Sequence, residues 1–155
     1  MNLRLRILPV FLTAMFASCS PAASEQMSKN AFSEYEIVQN NQIIWSEIFK
    51  QNEDRYLVFF YSETCGHCHQ IMGDVIAFSQ EEITKMYYLN TKDQGIKIPI
   101  NPLTESTIGM DTVDELFIAG TPTIMEIKNH VVNNNIPGKD ECLTYLNMLR
   151  LEHKN

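Results

Sequence analysis

An α/β fold with a mixed sheet is what this sequence predicts, and four observations predict it. Tyr56-Leu57-Val58-Phe59-Phe60-Tyr61 is a continuous apolar and aromatic run, the pattern of a buried strand. After a short turn at Ser62-Glu63-Thr64, the chain changes to helical spacing from His67 to Ser79, with Ile71, Val75, Ile76 and Phe78 on one face and Met72 beside them. Met86-Tyr87-Tyr88-Leu89-Asn90 then reads as a second strand, parallel to the first because a helix lies between them. Further on, Thr123–Ile127 and Val131–Asn134 flank Lys128-Asn129-His130, a hairpin pattern that adds antiparallel strands to the sheet.

The remaining elements follow in chain order. Arg4 and Arg6 precede a short apolar stretch, Ile7 to Ala17, too short to span a bilayer comfortably and typical of an export signal. It ends at Phe16-Ala17-Ser18-Cys19, which resembles a bacterial lipoprotein signal: cleavage before Cys19 would leave that cysteine to carry the lipid. Phe16 departs from the aliphatic residue usual there, and cleavage near Ala22 or Ala23 would instead release a soluble periplasmic or secreted protein. The expected division is a signal peptide over 1–18, an anchor and flexible tether over 19–30, and one domain over 31–155. Within the domain, Tyr35–Val38 and Ile43-Ile44 suggest a first, edge strand. Ser46 is placed to cap a short helix through Lys50, with Trp45, Ile48 and Phe49 turned inward. Thr91 to Met110, broken by Gly95, Pro99, Pro102 and Gly109, reads as a long loop. Asp111–Phe117 has the acidic start of a short helix. Asp140 to about His153 is an amphipathic terminal helix carrying Leu143, Leu146, Leu149 and Leu151.

Composition narrows the function classes. A hydrophobic content of 45% with 20% charged residues is that of an ordinary globular domain, and a formal charge of −7 without basic clusters argues against nucleic-acid binding. Either reading of the leader exports the chain to a compartment where disulfides persist.

Cys65-Gly66-His67-Cys68 carries the chemistry. The preceding strand and turn place Cys65 at a helix N-terminus, where unpaired N–H groups and the helix dipole favour a thiolate, and Cys68 follows within disulfide reach. Cys65 is the expected nucleophile and Cys68 the resolving thiol, with His67 supplying a hydrogen bond or positive charge to the thiolate and Gly66 leaving the approach open. Together with Gly120-Thr121-Pro122-Thr123 before the hairpin, these residues resemble the thioredoxin superfamily over roughly Tyr35 to Leu151. The resemblance implies a three-layer α/β/α sandwich, the element order β-α-β-α-β-α-β-β-α, and a cis-proline loop at Thr121-Pro122 that faces the cysteines and pairs with substrate backbone. It implies protein or peptide thiol and disulfide substrates, a monomer, and no metal or cofactor beyond the Cys65–Cys68 disulfide. A membrane redox partner fits a lipid-anchored location. The stretch from Phe60 to Cys68, with the leader, also looks like small thioredoxin-fold accessory proteins associated with bacteriocin export. One departure stands out: thioredoxin-like enzymes often keep a buried acid six residues before the first cysteine, and this chain has Phe59 there.

Gly66-His67 is similar to the dipeptide of protein disulfide isomerase, which points to an oxidase or isomerase rather than a reductase. Two other readings compete. Cys65-Gly66-His67-Cys68-His69 also satisfies Cys-x-x-Cys-His, the attachment motif of a c-type haem, with His69 as axial ligand. A non-catalytic binding module stapled by the disulfide is the third. Cys142, among the leucines of the terminal helix, reads as a buried structural thiol.

Overall fold

The computed structural model describes residues 36–95, 97–101 and 107–155. The expected signal peptide, the tether with Cys19, and Tyr35 lie outside the described residues. The chain runs through a short helix, α1, described over residues 36–40, a 3-10 turn at Trp45–Glu47, strand β1 (Arg55–Tyr61), helix α2 (Gly66–Gln80), β2 (Lys85–Asn90), β3 (Thr123–Lys128), β4 (Val131–Pro137) and helix α3 (Lys139–His153). The sheet order is β2-β1-β3-β4, with β1 parallel to β2 and the other pairs antiparallel.

From Tyr56 to Tyr61 β1 is apolar and aromatic because it is covered on both faces, which is why its sequence does not alternate. Leu57, Phe59 and Tyr61 face α2 and α3, packing with Ile71, Val75, Phe78, Leu146 and Leu149. Tyr56, Val58 and Phe60 face the other way, against Trp45, Ile48, Ile98, Leu116 and Ile118. Among the described residues, the sandwich therefore has α2, α3 and the short α1 on one side, while its opposite layer consists of the 3-10 turn and irregular segments around 98–101 and 107–118.

Four local expectations are corrected. Residues 36–40 are helical rather than extended: Ile37 and Val38 pack against the helix-side core, and the Asn41 side chain donates to the Ile37 carbonyl at the helix end. What remains of the expected edge strand is a single parallel bridge, Gln42 to Tyr88. Ser46 does not cap. The 3-10 turn starts after Ile44, whose N–H donates to Glu47 Oε2 at 3.1 Å. Asp111–Phe117 forms a turn at 113–115 and no helix, because Leu116 and Ile118 alternate into the core and Ile118 bridges to Ile100. Leu151, expected on the buried stripe of α3, is 63% exposed; the stripe consists of Cys142, Tyr145, Leu146 and Leu149. The hairpin turn is tight, with Asn129 and His130 both at positive φ (51° and 62°), the geometry that matches the twist of adjoining strands.

Candidate active site

The redox pair stands where β1 ends and α2 begins. The turn closes with the Cys65 N–H donating to the Ser62 carbonyl at 3.0 Å, while the Thr64 N–H donates to Ser62 Oγ at 3.3 Å. Cys65 is the N-cap residue of α2 and takes the role that Ser or Asp usually fills: its Sγ accepts from the Cys68 N–H at 3.1 Å. Cys65 and Cys68 are disulfide-bonded with their Cα atoms 5.2 Å apart, an ordinary separation for a bridge. Their environments differ. Cys65 is half-buried, whereas Cys68 is 0% exposed and belongs to the helix-side core.

The second loop reaches the pair from the β3 side. The Thr121–Pro122 peptide is cis, and the Thr121 carbonyl oxygen lies 3.4 Å from Cys65 Sγ. Three bonds anchor this loop: Thr123 Oγ1 donates to the Gly120 carbonyl at 2.8 Å, the Gly138 N–H donates to the Pro122 carbonyl at 2.9 Å, and Thr123 pairs with Phe60 in the sheet. Gly120 has φ +148° with open space around it, so backbone conformation rather than crowding selects glycine there. Cys65, Cys68, Thr121 and Pro122 are thus brought together from distant parts of the chain. Gly66 and His67 lie exposed on the first turn of α2, and a Cβ at Gly66 would meet nothing within 4 Å.

The position expected to lack an acid does lack one. Phe59 is 0% exposed, stacked on Tyr61 at 6.0 Å and edge-on to Tyr88 at 6.3 Å. Among the described residues the buried carboxylate sits elsewhere: Glu126 on β3, 1% exposed, stands opposite Leu57. It accepts from Arg55 Nε (2.6 Å), Asn134 Nδ2 (2.7 Å) and Asn133 Nδ2. Burial pushes its pKa up, but these hydrogen bonds and the Arg55 charge outweigh it and hold the carboxyl below the usual range. Cys142 is 0% exposed, its thiol donating to the Ile136 carbonyl at 3.3 Å, and burial pushes its pKa up to about 12. Haem attachment fits this geometry poorly, since Cys68 is enclosed by the core and has no face open to a vinyl group.

Sequence reading missed what lies on the β2 side of the pair. A groove of about 400 Å³ opens there, with Tyr61, Met72 and Ile76 among its apolar lining and Glu63, His69 and Asp93 among its polar lining. Asn90, 1% exposed at the end of β2, braces one wall; a polar residue closing an apolar strand was the available signal.

The family model described as Thioredoxin matches residues 35–148. Among solved structures, the chain is similar to mitochondrial thioredoxin 3 from Saccharomyces cerevisiae in its oxidized form, with 15% identity, 72% of this chain and 93% of that chain covered, and a TM-score of 0.51. It is also similar to the reduced Schistosoma mansoni thioredoxin pre-protein, with 15% identity, 70% and 93% coverage, and a TM-score of 0.50. These likenesses concern the fold. No curated protein matches the chain. With a sheet, a cis-proline loop and a paired Cys65–Cys68 in this arrangement, and a family model spanning most of its length, the chain belongs to the thioredoxin family and is a thiol–disulfide oxidoreductase.

Proposed function

We propose that this oxidoreductase is an exported protein, anchored by a lipid on Cys19, that donates or rearranges disulfides in protein substrates. The observation that carries the redox roles is the asymmetry of the pair: Cys65 half-exposed at the N-cap, Cys68 fully buried behind it. In the oxidising direction a substrate thiolate attacks Cys65 Sγ and expels Cys68 as a thiolate. A second substrate thiolate then attacks the substrate sulfur of the mixed disulfide and expels Cys65, so two electrons pass to the enzyme and the substrate leaves with a disulfide. Isomerisation begins with a Cys65 thiolate attacking a substrate disulfide, and returns that thiolate once the substrate has rearranged. The helix N-terminus stabilises the Cys65 thiolate, and the exposed His67 beside it adds a hydrogen bond or charge, both of which favour the dithiol state and make the disulfide more oxidising. Thr121 supplies backbone to pair with the substrate, Pro122 shapes that loop, and Gly66 leaves the approach to Cys65 clear. A membrane redox protein resets the pair.

A glutathione redox titration tests the direction. The expected potential lies nearer about −180 mV, the isomerase value, than about −270 mV, the thioredoxin value. His67→Pro should shift it towards the reducing end. A wild-type value as low as thioredoxin's would make the protein a reductase, and an unmoved potential in His67→Pro would remove His67 from the argument.

A further inference from the structure

We propose that the groove on the β2 side of the redox pair is a subsite for a lysine or arginine side chain of the substrate. The enzyme would then select cysteines that have a basic residue two or three positions away. This rests on the thiol-exchange reading and names the substrate class for that same site.

Topology puts the subsite within reach. The pair stands at the C-terminal end of β1, with the Thr121–Pro122 loop on its β3 side and the groove, walled by Asn90 at the end of β2 and Asp93 just beyond it, on the other. Glu63 is two residues from Cys65, a span of at most about 7 Å. A substrate strand lying across Cys65 advances about 3.3 Å per residue, so its second or third residue from the attacked sulfur comes over the groove.

The lining suits one kind of side chain. Tyr61, Met72 and Ile76 provide apolar surface for a methylene stem, and Glu63 and Asp93 provide anionic groups for a charged tip. One amide side chain links the two carboxylates. Asn90 Nδ2 donates to Asp93 Oδ2 at 2.6 Å and to Glu63 Oε1 at 3.3 Å, while Asn90 Oδ1 accepts from the Lys92 N–H at 3.1 Å. Each amide hydrogen of Asn90 is thereby committed to one carboxylate, and each carboxylate keeps acceptor capacity facing outward. Among the described residues, neither Glu63 nor Asp93 has a cationic partner within ion-pair distance. Two carboxylates beside an apolar floor are complementary to a long basic side chain and repel an acidic one.

The test uses the reduced full-length protein and peptides whose single cysteine is capped as a mixed disulfide with neutral 2-mercaptoethanol. Each turnover yields the Cys65–Cys68 disulfide, one peptide thiol and one mercaptoethanol, with two electrons passing to the substrate. Peptides differ only in Lys, Leu or Glu two residues from the cysteine. At low salt the Lys peptide should react about fivefold faster than the Leu peptide, with the Glu peptide slowest, and the Lys:Leu ratio should fall towards one at high salt. Glu63→Gln/Asp93→Asn should bring that ratio near one, and Asp93→Lys should invert the order of the Lys and Glu peptides. Glu115→Gln/Glu152→Gln changes net charge equally at exposed positions outside the groove and should keep the wild-type ratio. A wild-type ratio of one, a ratio that survives Glu63→Gln/Asp93→Asn, or one that collapses equally in Glu115→Gln/Glu152→Gln overturns the subsite. If no peptide is reduced at all, the exchange reading falls, and the subsite with it.

Discussion

Cys65 and Cys142 mark the two extremes of thiol chemistry in this chain. Cys65 is half-exposed on a helix N-terminus, while Cys142 is sealed in the core with its pKa pushed up to about 12 by burial. Iodoacetamide applied to the reduced protein near neutral pH should therefore alkylate Cys65 first and leave Cys142 untouched until denaturant is added, as followed by mass spectrometry of the digest. Early labelling of Cys142 or Cys68 would contradict the burial described. Glu126 gives a second residue-scale prediction. Its folded pKa lies below the ordinary value, so its contribution is present above the unfolded pKa of about 4.3 and is lost as pH falls through the lower folded value. Glu126→Gln cannot reproduce the charge-assisted bonds to Arg55, Asn133 and Asn134. It should cost about 1–3 kcal/mol in urea unfolding at pH 7, a gap that narrows well below pH 4.

At the scale of elements, β4 shows how an exposed edge is managed. Its outer side is met by the segment around 107–110: the Gly109 N–H donates to the Val132 carbonyl at 2.9 Å, and the Val132 N–H donates to the Met110 carbonyl at 2.8 Å. Asn135 Nδ2 donates to Thr107 Oγ1 at 2.9 Å, and Thr107 is 0% exposed. The segment thus supplies the pairing that an unprotected edge would offer to other chains. Thr107→Val removes the acceptor from a partly buried amide and should destabilise the protein by about 1–3 kcal/mol. Hydrogen exchange at the Val132 amide should accelerate, while amides shared by β1 and β2 keep their protection. Uniform acceleration through the sheet would mean that the segment and the sheet open as one unit.

The whole molecule is a mixed sheet sealed between two hydrophobic clusters, with its chemistry confined to one end of β1. Among the described residues no helix is long and apolar enough to cross a membrane. The membrane location proposed above is carried by Cys19. If that cysteine carries lipid, Cys19→Ala should leave the precursor unprocessed or release the domain from the membrane fraction, read by fractionation and intact mass. Unchanged mass and partitioning would remove the anchor from the account while leaving the redox chemistry as it stands.

Much of this architecture could be read from local pattern. β1 and β2 were legible because an unbroken apolar run is what a doubly covered strand requires, and α2 because Ile71, Val75, Ile76 and Phe78 keep a helical stripe. The cysteines and Thr121-Pro122 were legible as motifs, since a half-exposed sulfur at a helix start needs a particular strand–turn–helix order. Residues 36–40 were misread because Ile37 and Val38 satisfy a strand pattern and a helix face equally well over so few residues. Asp111–Phe117 was misread because its acidic start resembles a helix cap, whereas the core accepts Leu116 and Ile118 at every second position. By itself, then, the sequence determined the α/β class, the central strands and the redox pair, all of which depend on neighbours within a few residues. Tertiary structure decided which loops cover the second face of the sheet, that Glu126 is clasped by Arg55, Asn133 and Asn134, and that Asn90 braces two carboxylates beside the cysteines. Those arrangements join residues far apart in the chain, and local propensity carries no information about which distant groups will satisfy a buried polar atom.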